Sequence, residues 1–163
     1  MRDERADLYE RDFYAWTKRQ ASELRRWAAM RPNDELDLAH IAQEIADLGQ
    51  EQRNALRSWT VRIIEHLLLL EYSAAEEPRR HWTREVIQFR AEIAARMTRT
   101  LSANLARQLP ALCAQARRQL VTESGRFDER AIAARLLPTW AHRLQQVTSD
   151  WWPHQGTSSL TAG

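Results

Sequence analysis

From Asp34 to Tyr72 the chain reads DELDLAHIAQEIADLGQEQRNALRSWTVRIIEHLLLLEY, and this stretch limits what the rest can fold into. Apolar or small residues recur at Leu38, Ile41, Ile45, Leu48, Ala55, Trp59, Ile63, Leu67 and Leu70, with polar Gln52 filling the one gap. Steps of three and four are the spacing of an amphipathic helix. Unbroken, a helix of this length would run roughly 60 Å. It would therefore act as a central spine along which shorter helices pack. Gly49 is the only glycine inside it, and a bend in the spine is expected there if anywhere. The second half is apolar on more than one side at Ile63, Ile64 and Leu67 to Leu70. Such a segment needs cover all round, from its own domain or from a partner. A surface of Ile64, Leu67, Leu68 and Leu70 with Trp82 is accordingly the expected contact with a second copy or another protein.

The flanking segments supply the other helices. Asp7 with Glu10 has the spacing of a capping box and predicts a first helix to about Met30. Its row of Tyr9, Phe13, Trp16, Gln20, Leu24 and Trp27 is mostly aromatic. Arg31-Pro32-Asn33 reads as a turn and Asp34 as the cap of the spine, so the first helix runs antiparallel to the spine's start. Ser73 to Pro78 is a loop closed by a proline suited to a helix's first turn. The third helix has Trp82, Val86, Phe89, Ile93, Met97 and Leu101 on one face. After Thr98-Arg99-Thr100 the period resumes at Leu101, Leu105, Leu109, Leu112, Ala116 and Leu120, and Pro110 is expected to kink or break it near Gln108. Asp128 caps a short helix to Leu137, Trp140 to Trp152 forms the last ordered piece, and 154–163 reads as a disordered tail. Strand signals are absent. The expected fold is an all-α bundle of five to six helices around the long one, with 1–153 as a single domain.

Composition narrows the function classes. A chain of 163 residues can bury a worthwhile core. Its formal charge of +2 hides an asymmetry, because 1–77 sums to −5 and 78–163 to +7. A basic half can bind phosphate backbones, which keeps a nucleic-acid-binding accessory role as a third reading. The single cysteine, Cys113, allows no internal disulfide and no cysteine-cluster metal site, and its apolar neighbours predict a buried thiol. The longest apolar run, Leu67 to Leu70, is far too short for a membrane span, and the charged N-terminus lacks a signal core. A cytoplasmic protein is expected. No glycine-rich phosphate loop, nucleophile elbow or zinc signature occurs, and no cofactor is implied.

Certain stretches resemble a known family. LYERDFYAW, LDLAHIAQEIADLG, EHLLLLEY, the tryptophan opening the next helix and QFRAEI together resemble a bacterial family known as domain of unknown function family 29. The likeness runs from about Leu8 to Gly125. Three departures stand out. Thr98-Arg99-Thr100-Leu101 replaces the family's Ser-Pro-Ser-Leu, Phe89 stands where glutamine precedes the arginine, and Ala141-His142-Arg143 replaces a Cys-Pro-Tyr segment. The resemblance implies a helical fold and no known reaction.

Chemistry must therefore be sought in the residues. Asp37, His40 and Glu44 fall at i, i+3 and i+7 on one helical face and are candidate metal ligands, although Asp37 also suits the helix dipole. A di-iron bundle would need Glu-x-x-His on two helices, and that pattern is missing. Glu44, His66 and Arg90 are the candidate catalytic groups, but Glu44 and His66 are about 33 Å apart on a straight helix. Folding the hairpins about their loops sets His66 opposite Glu85, and Glu44 opposite Arg19 or Gln20. An apolar setting makes His66 a core histidine with one hydrogen bond to the third helix. The leading expectation is a non-enzymatic helical interaction module that forms a homo-oligomer. The alternative is a small bundle enzyme or metal-binding protein using Asp37, Glu44, His66 and Arg90.

Overall fold

The computed structural model describes residues 4–30, 35–73, 75–122 and 143–153. They form six helices: α1 Glu4–Arg11, α2 Phe13–Met30, α3 Leu38–Tyr72, α4 Arg79–Arg96, α5 Arg99–Thr122 and α6 Leu144–Thr148. No strand occurs among the described residues. The fold is all-α with a long central helix. The turn at Arg31 to Asn33, the cap at Asp34, the helix from Asp128 to Leu137 and the tail after Pro153 lie outside the described residues. The chain divides into two compact units, Met1–Leu56 with Arg96–Asn104, and Arg57–Ala95 with Leu105–Gly163.

In the first unit, the helix expected up to Met30 is divided at Asp12. The backbone hydrogen bonds continue through it, from Asp12 N–H to the Leu8 carbonyl and from Trp16 N–H to the Asp12 carbonyl. Its buried carboxylate accepts the Ala15 N–H at 3.0 Å and so caps α2, then accepts the Thr98 hydroxyl at 3.0 Å and the Thr100 N–H at 3.1 Å at the start of α5. Burial works to raise this carboxyl, but the bonds from Ala15, Thr100 and Thr98 outweigh it and hold Asp12 below its usual value. Asp12 thus ties two helix starts together. Beside it Phe13 and Trp16 stack, and Tyr9 meets both edge-on, with ring centroids 4.9 to 5.7 Å apart.

The spine begins at Leu38, later than expected, because Glu35 to Asp37 are not helical. Asp37 caps it by accepting the His40 N–H at 3.1 Å. From there α3 runs as one helix to Tyr72, with no break at Gly49. A Cβ at position 49 would fall on the Thr17 hydroxyl and within 3.2 Å of Thr17 Cβ. Gly49 therefore serves close approach between α2 and α3. The buried residues of α2 are Tyr14, Thr17 and Ala21, and those of the facing half of α3 are Leu38, Ala42, Gly49 and Leu56. Small residues hold this helix pair together, and the aromatic row of α2 lies to one side of the contact.

In the second unit α3 is interior all round from Ile63 to Leu70. Ile63, Ile64, Leu67 and Leu68 are each 0% exposed, and Leu69, Leu70 and Trp82 are buried with them. This corrects the expected interaction surface, since Ile64, Leu67, Leu68, Leu70 and Trp82 are covered within the chain. The same unit holds the buried rows Val86, Arg90 and Ile93 of α4, Leu105 to Leu120 of α5 and Val147 of α6. Burial stabilises by about 1.5 to 3 kcal/mol for each large apolar side chain, which is why these helices pack there. Helix α4 buries Arg90 in its row, while Phe89 is only half-buried. Arg79 closes the end of α3, donating to the carbonyls of Leu70 at 2.7 Å and Ser73 at 3.2 Å. Pro110 neither breaks nor ends α5; it sits on the exposed side, where the carbonyl it frees can meet water. Cys113 is buried, in line with its apolar neighbours.

Candidate functional site

His66 on α3 and Glu85 on α4 meet as the hairpin geometry predicts. His66 Nε2 lies 2.5 Å from Glu85 Oε2, and Glu85 Oε1 lies 3.4 Å from His81 Nε2. Burial pulls His66 below its usual value, and His81 and Arg62 add to this, while the bond and charge of Glu85 oppose it. The lowering favours the uncharged ring, and Nε2 is the nitrogen that meets the carboxylate. That leaves buried Nδ1 without a hydrogen-bond partner among the described residues. A histidine held by a carboxylate is half of a general-base arrangement, but catalysis would need the free nitrogen to reach a reacting group. Here that nitrogen faces the interior. The pair acts as a tie between α3 and α4.

Arg90 is committed elsewhere. Its Nε donates to the Val147 carbonyl at 3.0 Å, and one terminal nitrogen donates to Gln146 at 2.8 Å and Trp151 at 2.7 Å. The guanidinium also lies 4.9 Å from the Trp152 ring centroid. A cation among the carbonyls at the end of α6 satisfies orphan acceptors and complements the helix dipole. Arg90 is thus a clamp on the segment from Gln146 to Trp152.

Asp37 and His40 form an exposed pair, His40 Nδ1 to Asp37 Oδ2 at 2.5 Å. The bond and charge of Asp37 raise His40 above its usual value, with Glu44 contributing, and the same bond lowers Asp37. Glu44 is exposed and forms no hydrogen bond to Arg19 or Gln20 among the described residues. Glu44 lies on the outer side of α3, well round from the row of Leu38, Ala42 and Gly49 that is buried against α2, so it faces away from that helix at any register. Arg25 bonds Gln43 at 3.3 Å, so the hairpin folds about a point one to two residues later than expected. Among the described residues no three ligand-type side chains converge on a metal position. Glu44 belongs to the first unit, His66 and Arg90 to the second, and each of the latter two has its own partners.

The first unit carries a different kind of site. At about 100° per residue, Gln20, Leu24 and Trp27 lie to one side of the buried row of α2. Ile41, Ile45 and Leu48 lie to one side of the buried row of α3. Because the helices are antiparallel, both rows fall on the same side of the hairpin. The opposite side is polar, a groove lined by Lys18, Arg25, Gln43, Asp47 and Gln50 with Tyr14, Ala21 and Ala46. The apolar side is open: Trp27 is 52%, Leu48 50% and Ile41 38% exposed, with Met30 and Leu36 at its end. Leu24 and Trp27 also line a hollow with Arg19, Gln20, Glu23 and Arg26. Hydrophobic periodicity located these rows correctly but assigned them to the core. The small residues Thr17, Ala21, Ala42 and Gly49 were the signal for the true contact.

The chain is similar to an α-helical protein of unknown function from Rhodospirillum rubrum, known from its crystal structure. The two share 21% identity and a TM-score of 0.65, over 87% of this chain and 89% of that one. At that identity the likeness speaks for the fold. No curated protein matches the chain. The family model described as Domain of unknown function DUF29 matches residues 8–152, from the aromatic cluster of α1 and α2 to the tryptophan under Arg90. The chain belongs to that family.

Proposed function

We propose that this protein is a cytoplasmic, non-enzymatic helical interaction module that self-associates. The observation that carries the reading is the open apolar side of the α2–α3 hairpin, with Trp27, Leu48 and Ile41 exposed beside Leu24 and Ile45. A contiguous apolar patch of this kind marks an interaction site more often than a bare surface, and symmetric homodimers are the commonest oligomers. The contact lies on the first half of the spine, since the second is interior from Ile63 to Leu70. Against the enzyme reading stand His66, whose Nε2 is held by Glu85 and whose Nδ1 is buried, and Arg90, whose Nε and one terminal nitrogen are taken by backbone carbonyls. Light scattering at micromolar concentration tests the proposal. The expected mass is twice 19.1 kDa, falling to the single-chain value on combining Trp27→Glu and Leu48→Glu with the helical circular dichroism unchanged. A wild-type mass of one chain at every concentration refutes it.

A further inference from the structure

The charges bordering the apolar side specify how two copies meet. On the outer edge of α2 stand Arg19, Glu23 and Arg26, and Glu23 is paired with Arg26 at 2.6 Å. Arg19 forms no ion pair among the described residues, which leaves the α2 edge basic. On the outer edge of α3 stand Asp37, Glu44 and Glu51, an acidic edge softened at its start by His40, which pairs with Asp37 and lies near Glu44. The approach of Gly49 to Thr17 and the Arg25–Gln43 bond fix the level of one helix against the other. They put Arg19 opposite residues 47–49, between Glu44 and Glu51.

Two copies packing apolar side to apolar side have two symmetric choices. With the two-fold axis across the helices, α2 covers the partner's α2 and α3 covers the partner's α3, so the two acidic edges face each other. With the axis parallel to the helices, α2 covers the partner's α3 and every level is preserved. We propose that the partner is a second copy of this chain docked in the parallel-axis manner. Arg19 then stands between the partner's Glu44 and the partner's Glu51, and this occurs twice. Gln20 lies over the partner's Leu48, and Trp27 fills the apolar seam between the helices. Like charges facing across an interface disfavour the wrong partner arrangement, and opposite charges fix the register. This inference rests on the self-association reading above.

Two measurements on the full chain separate them. In the first, Gln20→Cys and Leu48→Cys variants are mixed and oxidised. The expected result is a disulfide between the two different variants and little within either variant alone. In the second, Arg19→Glu weakens dimerisation about tenfold, with steeper salt dependence lost. Mixing it with a Glu44→Arg, Glu51→Arg variant recovers affinity in the heterodimer. Circular dichroism confirms that these exposed or half-buried positions leave the helices intact. A dimer that cross-links only like with like, or that ignores the charge reversal, overturns the docking and leaves self-association standing. A monomer at every concentration overturns both.

Discussion

Gly49→Ala offers a sharp test of how α2 and α3 are held. In a helix with no neighbour this change stabilises by about 1 kcal/mol, because alanine loses less backbone freedom on folding. Here the new methyl falls on the Thr17 hydroxyl, 3.2 Å from Thr17 Cβ and 3.5 Å from Tyr14 Cδ2. The tyrosine contact is ordinary, so Thr17 decides the sign. Thr17 is fully buried, and its hydroxyl donates to the Tyr14 carbonyl at 2.9 Å. Its β-branched side chain has few rotamers to escape into. Either the hydroxyl turns away and loses its bond, costing about 1 to 3 kcal/mol, or the helices part, costing about 1 to 3 kcal/mol by overpacking. Set against the helical gain, the net effect is a loss of about 1 kcal/mol. In a Thr17→Ala background the obstructing oxygen is gone, and the same substitution should recover its gain of about 1 kcal/mol. The coupling between the two sites is then about 2 kcal/mol. Urea unfolding followed by far-ultraviolet circular dichroism reads all four variants. Stabilisation by Gly49→Ala in both backgrounds would refute the close-approach account and return Gly49 to an ordinary helical glycine.

Two further tests address the polar ties. Arg90→Met leaves the carbonyls of Gln146, Val147 and Trp151 without their donor, so it should destabilise by about 2 to 4 kcal/mol and abolish hydrogen-exchange protection of 144–152. Arg90→Lys should rescue it poorly, because an ammonium cannot span three carbonyls at once. For His66, burial lowers the folded value below the ordinary 6.5, so the unfolded chain binds more protons in that range. Stability therefore rises with pH and is lost as pH falls through about 6.5 and below. His66→Ala should cost about 1 to 3 kcal/mol at pH 8 and flatten the slope between pH 5 and 7, as read by thermal unfolding at each pH.

The helices were legible because apolar spacing is set by the 3.6-residue turn wherever a helix has a buried side. The His66–Glu85 pair was legible for a second reason. The loop from Ser73 to Pro78 is short and is pinned by Arg79, so reflecting one helix on the other gives the right neighbour. The same reflection failed for Glu44, because it matches levels along two helices without saying which way a side chain points, and Glu44 lies on the side of α3 away from α2. Periodicity also identifies a stripe without saying which of its edges makes the contact. In the α2–α3 pair the backbones come close over Thr17 and Gly49, and bulky Trp27, Ile41 and Leu48 cannot fit between them. They are displaced to the side, which is how a core-like row became a surface.

The polar residues were harder, because type and spacing do not distinguish a reactive group from one that completes a helix end. Every helix leaves unpaired N–H groups at its start and carbonyls at its finish. In this chain Asp12 answers the starts of α2 and α5, Asp37 the start of α3, Arg79 the end of α3 and Arg90 the end of α6. Thr98 accepts the Leu101 N–H at 3.3 Å and so caps the start of α5 through its hydroxyl. In each of these closures the charge is directed at backbone groups or at hydroxyls that open or end a helix. The apolar side of the α2–α3 hairpin is under no such constraint: its nonpolar side chains meet water, and burying them against another surface releases free energy that folding has left unclaimed. Within the first unit, the close approach at Thr17 and Gly49 and the closures at Asp12 and Asp37 hold that side of the hairpin in place.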